Sequence, residues 1–423
     1  MRYNRRLWRV LMRRLCFTPS PSMNAAASSF RLIIGVLVLA SSVSIMSTDI
    51  YAPSLPHLPA LFEADAALVK LTISLNVLMF GVGQILHGPL SDRFGRKPVL
   101  LGAMALFTLC SFACALAQSI EQLIIARMLQ GFMGAAEAVV GMAIFRDLFD
   151  EKQQVRALAI FGMSIALGPA VAPIIGGYVH VYLGWRANFY FIGAGGILAT
   201  VLIWRLLPES SAPDPGALKL KRVVGNYAAL ITDKRFLTYA GMVGVGMGII
   251  YAFITGAPFI LIDQLGIRTE RFGYFQSVIV AAYFVGSLAS MRLAGRMPTG
   301  RLLGLGLALV LAGGGAFLIL ALIDAITPVS FAASFALMTF GLGPVFAVAP
   351  ARAMLATERS AGSAAAMLGA CEMVVGGLAA GAVSLLHGDT VWPVGIPIAV
   401  LMLAAAALAW RALRLPARPA AAA

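Results

Sequence analysis

Charge is scarce in this sequence. Charged residues are 12% of its 423 residues and apolar ones 60%, whereas soluble domains carry about a quarter charged residues. No soluble core absorbs that much apolar surface, so most of the chain belongs in lipid. Cysteine is also scarce: Cys16, Cys110, Cys114 and Cys371. Only Cys110 and Cys114 are neighbours, one helical turn apart in an apolar segment, which suits small buried hydrophobes rather than a disulfide framework or a metal site. The long apolar runs lack the alternation of barrel strands, which excludes a β-barrel. No Walker A sequence and no nucleophile–base constellation occurs, so neither ATP-driven pumping nor enzyme catalysis has visible machinery. The first 29 residues hold no apolar run long enough for a signal peptide.

What is present is a series of apolar segments. They fall at 32–52, 71–90, 98–117, 122–145, 157–179, 187–207, 236–262, 272–291, 302–323, 328–350, 361–386 and 391–410, each long enough to cross a bilayer as a helix. The longest polar interruption within them carries Pro208, Pro213, Asp214, Pro215, Gly216 and the cluster Lys219, Lys221 and Arg222. It divides the segments six and six, the layout expected of a pseudo-symmetric transporter. The domains expected are a basic tail (1–29), a first half (30–207), a linker (208–235), a second half (236–412) and a C-terminal tail (413–423).

The net charge of +14 at pH 7 raises nucleic acid as a partner, but its distribution argues against one. With both termini inside, 27 of the 32 Lys and Arg residues fall in cytoplasmic loops and tails. Only Lys70, Arg186, Arg268 and Arg271 fall outside, and Arg127 lies within a span. This is the positive-inside pattern, so the expected partner is the bilayer and not nucleic acid. The N-terminal tail, with Arg2, Arg5, Arg6, Arg9, Arg13 and Arg14 around Trp8, has two readings. It lies on anionic lipid, or translation starts at Met23.

The second segment ends in Gly-Pro-Leu-Ser-Asp-Arg-Phe-Gly-Arg-Lys over residues 88–97: a close-packing glycine, a carboxylate, a tight glycine turn and three cations at the membrane surface. The fifth contains Gly168-Pro169-Ala170-Val171-Ala172-Pro173-Ile174-Ile175-Gly176-Gly177, whose small residues permit close helix contact and whose prolines remove backbone donors. The fourth carries Arg127, Gln130 and Glu137. An arginine inside a span is costly and functional by default, unless it snorkels to the nearby surface. Asp49, at the external end of the first segment, stands at the depth of Arg127, as a charge pair requires; the plainer reading is a solvated interfacial carboxylate.

The loop at 88–97 closely resembles the signature loop of the major facilitator superfamily. There the Asp engages basic residues and the start of a helix in the other half. Carried over, Gly88, Asp92, Arg93, Gly95 and Arg96 form a cytoplasmic gate, with only a faint echo at Arg292, Gly295 and Arg296. Gly168, Pro169, Pro173, Gly176 and Gly177 resemble the antiporter motif of that superfamily's drug-efflux branches, with Ala172 in place of the usual glycine. Further motifs are Asp-x-Tyr-x-Pro-x-x-Pro (49–56), Arg-x-x-Gln-Gly (127–131), Phe-Arg-Asp-Leu-Phe (145–149), Gly-Trp-Arg (184–186) and Gly-Ala-Pro-Phe (256–259). Together they resemble the bicyclomycin-resistance (Bcr/CflA) group of drug:proton antiporters, over residues from about 30 to 410.

That resemblance implies an all-α membrane protein of two six-helix bundles with a central cavity. It also implies a monomer of a bacterial inner membrane that exports small amphipathic compounds on the proton gradient, without a cofactor. Asp49, Arg127 and Glu137 are the proton-coupling candidates, and Tyr51, Gln130 and Glu372 the cavity candidates. Export of an endogenous metabolite such as a polyamine or amino acid is the alternative. Glu372, near the middle of the eleventh segment, reads either as a neutral acid hydrogen-bonded to a neighbouring helix or as a cavity-facing acid. The second-half aromatics, among them Tyr251 and Tyr283, receive no role.

Overall fold

The computed structural model describes residues 23–214, 216, 228, 230–357, 361–386, 388 and 390–414. The arginine-rich tail, the candidate start at Met1, the Lys219–Arg222 cluster and the last residues of the C-terminal tail lie outside them. Among the described residues, twelve helices are long and apolar enough to cross a membrane. They are α1 (Met23–Asp49), α2 (Ala66–Phe94), α3 (Arg96–Leu116), α4 (Ile120–Leu148), α5 (Glu151–Leu183) and α6 (Trp185–Leu206) in the first half. The second half has α7 (Lys234–Pro258), α8 (Thr269–Leu293), α9 (Thr299–Leu322), α10 (Pro328–Ala356), α11 (Ala361–Leu385) and α12 (Trp392–Arg414).

Hydropathy locates these helices, but polar caps set their ends. Helix α5 starts six residues before its apolar run because the Asp150 side chain accepts from the Gln153 backbone while Gln153 answers the Asp150 backbone. Such a reciprocal box satisfies two donors that the first turn leaves free. Asp65, Ser119 and Asp233 cap α2, α4 and α7 in the simpler way. Pro53 and Pro56 act in the opposite sense: α1 stops at Asp49, and the chain tightens into a 3-10 turn over Ala52–His57. Helices α2 and α3 are joined by Gly95 alone, at φ +100°, a conformation that only glycine adopts at little cost.

Within the first half α2 packs along α4, and α3 along α4 and α6; in the second, α8 and α9 pack along α10, and α7 along α11. Two seams join the halves, α2 against α11 and α5 against α8. The loops therefore gather on two faces. One carries Arg93, Arg96, Lys97, Arg146 and the start of the linker, and is called the basic face below. The opposite face carries His57, Gly184 and Thr269.

Candidate functional site

A buried polar cluster fills the space between α1, α2 and α4. Arg127 is 0% exposed. Its Nη1 donates to the Ser47 carbonyl at 3.0 Å and to Gln130 Oε1 at 2.5 Å, and its guanidinium lies 4.8 Å from the centre of the Tyr51 ring. Gln130 Nε2 donates onward to Ser111 Oγ at 2.7 Å, and Asn76 Nδ2 donates to the Arg127 carbonyl at 2.7 Å. The Tyr51 hydroxyl is hydrogen-bonded to Thr72. Snorkelling is thus excluded for Arg127, whose head group is held inside the helix packing. Its Nε and Nη2 still have no acceptor, which is costly in a low-dielectric interior.

Asp49 is buried two residues beyond Ser47, within electrostatic reach of Arg127. The expected charge pair is not made. Asp49 Oδ1 instead accepts from Gln276 Nε2 at 3.0 Å, and Gln276 belongs to α8 in the other half. The reason is competition. Gln276 is fixed on α5 as well, through the Pro169 carbonyl at 3.2 Å, while Arg127 is occupied by Ser47 and Gln130.

The antiporter-like string forms the seam that carries Gln276. A Cβ at Gly177 would stand 2.9 Å from the Thr269 carbonyl oxygen, and one at Gly273 2.7 Å from the Pro173 carbonyl carbon. Gly176 abuts the Ile50 backbone at the end of α1, and Gly168 faces Ile45. Helices α1, α5 and α8 therefore meet almost backbone to backbone, a closeness that only small residues allow. Ser277 Oγ donates to the Ala170 carbonyl at 2.6 Å, the Tyr178 and Tyr274 hydroxyls are 3.1 Å apart, and His57 Nε2 lies 3.0 Å from Thr269 Oγ1. His57 also stacks on His180 at 4.7 Å.

The gate motif behaves differently. Asp92 pairs with Arg96 one turn on at 2.5 Å, and Arg96 Nε reaches Asp147 of α4 at 3.1 Å. Arg96 also bonds Ser91 Oγ, and its backbone N–H donates to Glu209 Oε1 at 2.9 Å. Asp214 N–H donates to the Asp92 carbonyl at 2.8 Å. All these partners lie in the first half or at the start of the linker. The expected engagement of a helix in the second half is absent among the described residues. Gly88 packs near Val139 of α4, Arg93 is half-buried, and the echo residues Arg292, Gly295 and Arg296 are exposed.

Two further expectations need correction. Tyr51 and Gln130 are each 0% exposed, so they belong to the packed Arg127 cluster and line no open space. Glu137 lies ten residues along α4 from Arg127, roughly 15 Å away, and does not join that cluster; it faces Ser41 of α1 with Oε2 unpartnered. Glu372 is half-buried on α11 and makes no hydrogen bond among the described residues.

Several participants were not singled out by sequence: Gln276, Ser277, His57, Thr269 and Glu209, while Asp147 stood only within the Phe-Arg-Asp-Leu-Phe string, without a role. The one available signal was Gln276 itself, the lone glutamine inside the apolar run at 272–291.

Comparisons with known proteins place the chain among membrane transporters. The chain is 29% identical over 381 residues to a chloramphenicol resistance protein of Pseudomonas aeruginosa, covering 88% of this chain and 89% of that one. It is 28% identical over 374 residues to a bicyclomycin resistance protein homolog of Haemophilus influenzae, covering 88% and 93%. Among solved structures, it superposes on a bacterial homolog of the human lysosomal transporter Spinster in an inward-facing, unoccupied conformation. That match has a TM-score of 0.66 at 16% identity and covers 93% of this chain and 96% of the other. The profile of the Major Facilitator Superfamily matches residues 37–381, and the chain belongs to that family: a multi-pass membrane transporter rather than an enzyme.

Proposed function

We propose that the protein exports small amphipathic compounds in exchange for protons, by alternating access. The observation that carries this reading is the choice of partners at Asp49. With the seam at the face opposite the basic loops closed, the carboxylate is held by Gln276 of the second half, while Arg127 keeps two donors without an acceptor. When the halves rock and α8 withdraws from α5, Asp49 loses the Gln276 amide and is free to turn to the Arg127 guanidinium. A carboxylate facing a cation releases its proton more readily than one buried beside an amide. Proton affinity at Asp49 thus differs between the two arrangements; exchange further requires that substrate and proton exclude each other there, so that the carboxylate is reprotonated from outside once the substrate has left. Glu137, buried with one oxygen unpartnered, is the second candidate for carrying a proton. The energy source is the proton gradient alone, and the unit of function is a single chain.

Resistance to chloramphenicol and to bicyclomycin, in the names of the two relatives, supports export of small drug-like molecules. We place the basic face, with both termini, in the cytoplasm of a bacterial inner membrane. Cysteine labelling of intact cells tests this: Asp324→Cys is expected to react from outside and Ser211→Cys to be protected. The function is tested in proteoliposomes, where an imposed proton gradient should drive drug movement through the wild-type chain. Movement that ignores the gradient would refute exchange.

A further inference from the structure

Resting on that exporter reading, and specifying its substrate class, we propose that Glu372 with Tyr251 and Tyr283 forms an anionic subsite between the halves for the positive centre of a lipophilic cation. Glu372 is eleven residues from the start of α11, roughly 16 Å along the helix and so near the middle of the membrane. Intramembrane carboxylates are costly and usually paired or turned toward a cavity. Glu372 has neither a hydrogen bond nor an ion pair among the described residues, and no cation acts on it.

Its surroundings point inward and not to lipid. Gly376, one turn further along α11, lies under the Tyr251 ring; a Cβ there would be 2.6 Å from that ring. Tyr251 of α7 is within electrostatic reach of Glu372, Asp49 and Arg127 at once, so it stands between the acids of the two halves. Tyr283 of α8 is also within reach of Glu372, and its ring is braced edge-on by Phe346 at 5.9 Å. One turn before Glu372, Gly369 faces Gln84 of α2, whose Oε1 is buried and has no donor. The subsite therefore presents an unneutralised carboxylate, an idle carbonyl oxygen and two aromatic rings, with no hydrogen bond made to those oxygens among the described residues; the Tyr251 hydroxyl is turned to Met373 Sδ at 3.8 Å. Its complement is a ligand that brings positive charge on an apolar body, held by charge and by ring faces together.

A structural acid would instead hydrogen-bond to a neighbouring helix, and Glu372 does not. The experiment uses the full-length protein in detergent and in proteoliposomes, with tetraphenylphosphonium as the cationic probe and chloramphenicol as the neutral one. Glu372→Gln should weaken tetraphenylphosphonium binding by roughly tenfold or more and leave chloramphenicol binding within about twofold. Glu372→Asp should restore most of the lost affinity, and Tyr251→Leu should weaken the cation more than the neutral probe. Unchanged cation affinity in Glu372→Gln overturns the proposal, as does equal loss of both probes in a variant with wild-type circular dichroism. Should Glu372→Gln fail to fold, Tyr251→Leu decides by the same ratio. A wild-type chain that moves chloramphenicol on the proton gradient but neither binds nor moves tetraphenylphosphonium refutes the subsite alone. One that moves neither probe refutes the exporter reading itself.

Discussion

The two membrane faces of this protein are held together in different ways. At the face opposite the basic loops, side chains reach from one half to the other: Gln276 to Asp49 and Pro169, Ser277 to Ala170, His57 to Thr269 and Tyr178 to Tyr274. At the basic face the motif residues are satisfied at home, Asp92 by Arg96 and Arg96 by Asp147 and Glu209. One face spends its polar groups on joining the halves, and the other keeps them within the first half. On the alternating-access reading proposed above, this is a state closed at the first face, with the gate motif of the second not engaged across the halves among the described residues. The polar groups that change partners are then the ones that time the cycle.

Breaking the joined face at its carboxylate should have the largest effect. Asp49→Asn is expected to abolish proton-driven efflux while substrate still binds, read as drug movement in vesicles with and without an imposed gradient. Wild-type exchange in this variant would move the coupling role to Glu137. Next comes the seam itself. Gly273→Val would place a branched side chain against the Ile174 and Pro173 backbone, where no flexible group can give way. Transport should fall by roughly tenfold or more, as overpacking of a tight contact implies, with normal expression on a membrane blot. Arg127→Lys should be nearly as damaging, because a lysine keeps the charge but loses the fork whose idle Nε and Nη2 would receive the Asp49 carboxylate; rescue to wild-type rates would reduce Arg127 to a point charge.

Legibility of the two faces in sequence differed in kind. Twelve spans follow from hydropathy, since lipid imposes length and apolarity on every crossing. Their ends shifted wherever a cap such as Asp150–Gln153 extended a helix or a proline such as Pro53 stopped one. Burial of Arg127 was legible, because a cation within an apolar run has few alternatives. The partner of Asp49 was not, because Gln276 lies 227 residues away and meets it only through the register of α5 on α8. Asp147 and Glu209, 51 and 113 residues from Arg96, were hidden for the same reason. A local motif shows that a gate residue is present; only the packing shows which groups it holds in a given state.

Smaller effects sharpen the comparison. Asp92→Ala removes the ion pair between the Asp92 carboxylate and Arg96, and it should shift the population further toward forms open at the basic face. Double electron–electron resonance between labels on the two rims of that face checks this by a longer mean distance. Unchanged distances alongside lost transport would indicate a folding defect. Gln276→Leu should be milder than Asp49→Asn: it removes two cross-half hydrogen bonds, the one to the Asp49 carboxylate worth about 1.5–3 kcal/mol, and should slow transport and weaken its dependence on the proton gradient.

The start of the linker has a mechanical consequence. Glu209 accepts the Arg96 backbone N–H, and Asp214 is bonded to the Asp92 carbonyl, so the strap leaving the first half is riveted to its gate loop as far as Asp214. These two bonds make the chain from Glu209 to Asp214 part of the first half, which it follows in any motion of one half against the other. Splitting the chain beyond Asp214 should leave two separately encoded halves that still assemble along α2–α11 and α5–α8, whereas splitting it between Leu206 and Glu209 would take these bonds away from the gate loop.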